Sequence, residues 1–162
     1  MVKYIPYILY LLLIGLHQVI LKDWTQINAT SINLPLMIVL CVSLYKTEIT
    51  TSWFAFLVGI VISAGNYEMM GWQALLVTAI AISSFNICTH LNLESIFSKV
   101  LVIASGVFIH NVITLMMEGF DNFLIRAWSV ALLGSIYTSL LAWLFFLFKD
   151  EKITYKKFKE IF

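Results

Sequence analysis

Charge is the scarcest property of this chain. Only 12% of its 162 residues are Asp, Glu, Lys or Arg, while 61% are hydrophobic, and the mean hydropathy is +0.94. A core built by so short a chain in water cannot hide that much apolar surface, which excludes an ordinary soluble domain and makes lipid the expected solvent. No basic patch with interleaved aromatic residues occurs, so nucleic-acid binding has no support. Cysteine is nearly absent. Cys41 and Cys88 lie far apart inside apolar runs, so neither a disulfide framework nor a metal site is expected. Catalytic patterns are missing as well: no Ser-His-Asp order, HExxH, CxxC, P-loop or dinucleotide-binding glycines. No helix carries the pair of carboxylates that acid–base work inside a membrane would want. The expectation is a chain that is not an enzyme and needs no cofactor.

What is present is a succession of apolar runs. Residues 4–21 form the first, between Lys3 and Lys22. No small-x-small cleavage site follows it, and it reads as a retained membrane helix rather than a signal peptide. A polar segment rich in Thr, Asn and Ser follows. Its Asn28-Ala29-Thr30 triplet formally accepts a glycan but is frequent by chance. Pro35 then opens a second helix ending near Tyr45, since Pro is tolerated in a first turn. Residues 46–52 read as a polar link, and 53–64 as a third helix. Both helices are short for spans; the alternative is a re-entrant hairpin, tolerated only when buried in protein. Further helices are expected over 71–88, from about Lys99 to Met117, and over 127–148.

With six spans and the N-terminus inside, the inner segments hold Lys3, Lys46, Lys99, Lys149, Lys152, Lys156, Lys157 and Lys159, and the outer ones Lys22 and Arg126. That is 8 against 2 of the 10 basic residues, a positive-inside distribution that places both termini in the cytoplasm. Trp24, Trp72 and Trp128 then fall at the outer boundary and Trp53 at the inner one. The expected organisation is an all-α integral membrane domain over residues 1–148 and a cytoplasmic tail over 149–162. In that tail Tyr155, Phe158, Ile161 and Phe162 share one helical arc and the lysines the other, as in a helix lying on anionic lipid. Ile153 falls off the apolar arc, and a frayed polar tail is the alternative.

Two groups of residues stand out. Ala55, Gly59 and Ser63 repeat at a four-residue step on one helix face, which lets another helix approach closely, within the bundle or from a partner. The turn that follows opens on Gly65 and closes on Gly71. The second group is His17, Gln18, His110 and Asn111, polar side chains at a similar outer depth on the first and fifth helices. Such groups usually face the bundle interior. They read either as the lining of an outward pocket or as interhelical hydrogen bonds that fix the bundle.

Pro35 opening an apolar helix, Phe56-x-x-Gly59, the small Ser63 and then Gly71-Trp72-Gln73-Ala74-Leu75 form one connected pattern. This stretch resembles the MreD family, small integral membrane proteins of the bacterial rod-shape system. The family pattern is roughly Phe-x-x-Gly-x-x-x-Asp followed by Gly-x-x-Ala-Leu, and Ser63 stands where the family usually carries Asp. The resemblance implies a scaffold in the bacterial inner membrane. It would bind the membrane anchor of an MreC-like single-span protein and link MreB to the glycan polymerase and transpeptidase of wall elongation. It also implies a fold similar to the six-helix substrate-binding component of energy-coupling-factor transporters. A second function comes with that fold: capture of a small, vitamin-like molecule. A capture subunit should close His17, Gln18, His110 and Asn111 round one tight cavity under an outer lid; a scaffold should present an exposed small-residue face. A membrane enzyme using His110 would need a second catalytic group that cannot be placed beside it.

Overall fold

The computed structural model describes residues 5–21, 32–91, 95–119 and 123–149. All regular elements among them are helical, with no strand. Helix α1 is Ile5–Leu16, continued by a π turn over His17–Leu21. Then come α2, Leu34–Tyr45, and α3, Glu48–Ile62. A short 3-10 turn, Tyr67–Met69, leads into α4, Met70–Leu91. Helix α5 is Ile96–Glu118, and α6 is Phe123–Lys149, with a π turn over Ala127–Leu132. The six-helix count matches the sequence reading. Three of the six, α4, α5 and α6, are each long and apolar enough to cross a bilayer. The other three are apolar but shorter.

Local chemistry sets the boundaries. Leu36 N–H donates to the Asn33 side-chain oxygen at 3.3 Å, and Pro35 occupies the first turn of α2, which together satisfy or remove donors that a helix start leaves open. Phe97 N–H donates to Ser95 Oγ at 3.2 Å at the start of α5. That helix ends on Gly119, whose φ of 124° favours a residue without a Cβ. One boundary differs from expectation. The polar link after α2 is confined to Lys46 and Thr47, and α3 begins at Glu48 rather than Trp53. The polar residues there continue the helix, and Ser52 Oγ donates back to the Glu48 carbonyl at 2.8 Å. The proposed amphipathic tail falls almost wholly outside the described residues, which stop at Lys149.

Helix α2 sits at the centre and touches all five other helices. Its Leu36, Val39 and Leu40 are fully buried against Phe54 and Val58 of α3, Val77 of α4, Ile103 and Val107 of α5 and Phe146 of α6. Its 12 residues extend only ~18 Å at 1.5 Å per residue. At one end Tyr45 lies under Lys149, 3.0 Å from Nζ to the ring centroid, and Lys99 is 5.6 Å away. At the other, Asn33 reaches only the depth of His110 on α5. Helix α5 runs on from there to Glu118. The central helix therefore stops short of one end of the bundle and leaves a recess above its N-terminus.

One buried polar group has no visible reason. Thr51 on α3 is wholly buried, and its hydroxyl has no hydrogen-bond partner among the described residues. Thr51→Val keeps the shape and removes the orphan, so the detergent melting temperature is expected to rise, with a gain of about 1 kcal/mol. A lower melting temperature in the variant would show that the hydroxyl is bonded.

Candidate functional site

The recess above α2 is a cavity of about 330 Å³ at the end of the bundle where α1, α3 and α5 finish and α4 and α6 begin. All four residues of the expected pocket, His17, Gln18, His110 and Asn111, line it. Asn33, Ser63, Asn66, Gln73, Thr114 and Glu118 complete its polar wall, and Ile32, Pro35, Ile62, Met69 and Val130 its apolar one. Both π turns border it, through His17 and Gln18 on α1 and Val130 on α6. Widened turns of this kind recur at functional sites because they redirect side chains from the regular helical register.

A hydrogen-bond network fixes one wall. His110 is 5% exposed; its Nε2 lies 3.0 Å from Gln73 Oε1 and its Nδ1 3.5 Å from Asn33 Nδ2. Asn33 Oδ1 is already committed to capping α2, so Nδ2 is the group that faces His110 and Asn111. Nδ2 donates to Asn111 Oδ1 at 3.4 Å and to His110 Nδ1. With Nδ1 accepting, Nε2–H donates to Gln73 Oε1, and Gln73 Nε2 in turn donates to Thr114 Oγ1 at 3.4 Å. The Asn33 backbone N–H donates to Thr138 Oγ1 at 3.1 Å, tying in α6. Nδ1 also lies 3.4 Å from Asn111 Oδ1, so the tautomer is an assignment from the network. Pocket lining and interhelical bonding, posed as alternatives from the sequence, are combined at two of the four residues: His110 and Asn111 bond α5 to α2, and His110 also to α4, while facing the cavity.

The carboxylate on the wall, Glu118, is held at the rim by Arg126. Among the described residues no three His, Cys, Asp or Glu side chains gather as a metal site would need. Cys41 and Cys88 are free thiols. Apart from Glu118 the wall offers neutral donors and acceptors beside apolar side chains, suited to holding an uncharged polar group by hydrogen bonds.

The small-residue face lies elsewhere in the packing. Ala55 is fully buried, and Gly59 lies against α4 so tightly that a Cβ built on it would fall 2.4 Å from the Ala74 Cα. Ser63 is buried too; its Oγ donates to the Gly59 carbonyl and it reaches the cavity wall. Of the two uses open to this face, the structure takes the internal one, so these residues are not an exposed partner surface. Gly71, grouped with them from the sequence, is separate: it is exposed and a Cβ there would touch nothing within 4 Å. Its position opening α4 is one turn away from the close contact.

Sequence reasoning passed over Asn33 and Thr114 and took Gln73 only as part of a spacing pattern. The signals were present. Asn two residues before Pro is a helix-start pattern, and an amide within an apolar helix requires a partner. No family model, curated protein or solved structure matches the chain.

Proposed function

We propose that this chain is a non-enzymatic scaffold of the bacterial inner membrane. Six helices cross the bilayer, and both ends lie on the cytoplasmic side. It holds the anchor of an MreC-like single-span protein and helps couple MreB to peptidoglycan synthesis. The observation that supports the reading is the contact between Gly59 and Ala74. The two halves of the stretch resembling MreD, Phe56-x-x-Gly59 and Gly71-x-x-Ala74-Leu75, are each other's packing partners. The spacing that carries the resemblance is also the spacing of a hairpin closed by backbone contact. The exposed small-residue face expected of a scaffold is not present, since Ala55 and Ser63 are buried and Gly59 packs against α4, so a partner anchor must use another surface. Ile8, Leu9 and Leu12 leave an exposed apolar face on α1 that offers one.

The cavity favours a second reading, capture of a small uncharged molecule. His17, Gln18, His110 and Asn111 line one cavity, and Ser63 stands where an Asp would bring a charge to its wall. Extraction from the native membrane in mild detergent separates the two. The scaffold reading expects a single-span protein to copurify with an empty cavity. A low-mass compound retained in native mass spectrometry and released by Gln73→Leu, with no protein partner, would overturn it in favour of capture.

A further inference from the structure

A second cavity, of about 390 Å³, opens at the opposite end of the bundle between α1, α2 and α6. Its depth is apolar, lined by Met37, Ile38 and Cys41 of α2 and by Tyr7 of α1. Tyr45 and Phe145 also line it and remain exposed. From Met37 to Tyr45 the groove follows α2 for ~12 Å. Lys149 belongs to the same lining, and it is the last described residue before 150–162. The chain therefore leaves α6 at the mouth of this groove.

We infer that the groove is filled by the chain's own C-terminal segment, residues 150–162, with Tyr155, Phe158, Ile161 and Phe162 turned into it. The segment places those four apolar side chains on one helical arc, and the groove offers an apolar and aromatic wall of matching length. As a helix, residues 155–162 extend ~11 Å at 1.5 Å per residue, against ~12 Å of groove. Lys152, Lys156, Lys157 and Lys159 fall outside the apolar arc and stay in water. Residues 150–154 supply the return, since a five-residue stretch reaches ~17 Å when extended. Tethering decides between occupants. A segment joined through so short a linker meets the groove at an effective concentration in the millimolar range, and closing a small loop costs little entropy. A lipid or a separate peptide has to compete with that. The rim lysines are not needed for the fit: Lys149 already lies over the Tyr45 ring, and the contact is apolar. The inference is independent of the scaffold and capture readings. It gives the apolar arc of the tail a protein surface to cover in place of the lipid surface expected from the sequence.

The test places benzoylphenylalanine at Phe158 of the full chain in native membranes and maps light-induced crosslinks by mass spectrometry. The expected product joins position 158 to the α2 peptide holding Met37, Ile38 and Cys41 of the same chain. Tyr155→Ser, Ile161→Ser and Phe162→Ser together should cut its yield by about tenfold or more, because burying even one such side chain is worth a preference of that size. A second readout uses Cys41, which lines the groove. In a Cys88→Ser background the same three serines should raise labelling of Cys41 by N-ethylmaleimide by about tenfold, the fall in occupancy expected of the segment. Crosslinks confined to lipid, crosslinks between two chains, or an undiminished groove product in the serine variant each overturn the inference. Unchanged labelling of Cys41 does so too.

Discussion

Gly59→Ala is expected to lower the melting temperature in detergent far more than Gly106→Ala, although each adds a single methyl group. The difference lies in what the new Cβ would meet. At Gly59 it would be 2.4 Å from the Ala74 Cα and 2.9 Å from both the Ala74 nitrogen and the Gln73 carbonyl oxygen. All three are backbone, so α4 as a whole would have to move away from α3. At Gly106 the nearest atom is Leu40 Cδ1 at 2.9 Å, the far end of a side chain that can turn aside. Overpacking costs about 1–3 kcal/mol where neighbours can adjust, and Gly59→Ala is expected at or above the top of that range. In lipid no hydrophobic drive holds helices together, so close fit carries the association, and losing it at the tightest contact has no substitute. Ser63 and Gln73 flank that contact and line the cavity, so its polar wall should be disturbed at the same time. Comparable melting temperatures for the two variants would show that α4 is not held by backbone contact at Gly59.

Single replacement of either partner in the His110–Gln73 bond is expected to destabilise the bundle, and replacement of both to cost less than the sum. Gln73→Leu leaves the buried Nε2–H of His110 without its acceptor and Thr114 without a donor; His110→Leu leaves Gln73 Oε1 and the Asn33 amide short of a partner. A buried polar group stranded this way costs about 1–3 kcal/mol, whereas removing both members replaces a bonded pair by an apolar one. Interhelical hydrogen bonds in membranes average only about 0.6 kcal/mol in net worth, so most of the single-variant cost comes from the stranded partner. Water in the cavity can relieve part of it, since the site has room and polar neighbours. A double-mutant cycle by thermal melting in detergent measures the coupling. Strict additivity would mean that the two side chains do not bond.

These expectations join the two features that the sequence separated. The small-residue step and the buried polar residues were read as different things, one for packing and one for a pocket. In the folded chain Gly59 draws the start of α4 against α3, and this seats Gln73 where it meets His110. The cavity wall is a consequence of the helix contact.

Much of the architecture was determined by the sequence alone. Long apolar runs broken by polar segments specify helices, which satisfy their own backbone groups, and three of these are long and apolar enough to cross a bilayer. The Asn33–Pro35 start, the Ser95 cap and the four-residue spacing of Ala55, Gly59 and Ser63 act over one or two helical turns and are legible for that reason. The depth of His17, Gln18, His110 and Asn111 followed from counting residues along helices. What only the tertiary structure decided was which helix faces which. No local signal says that α2 stops level with His110, that Asn33 turns its amide to α5, or that α4 closes the small-residue face. Those outcomes depend on contacts between residues as far apart as Asn33 and Thr138, and are settled by the shape of the whole bundle rather than by the residues on either side.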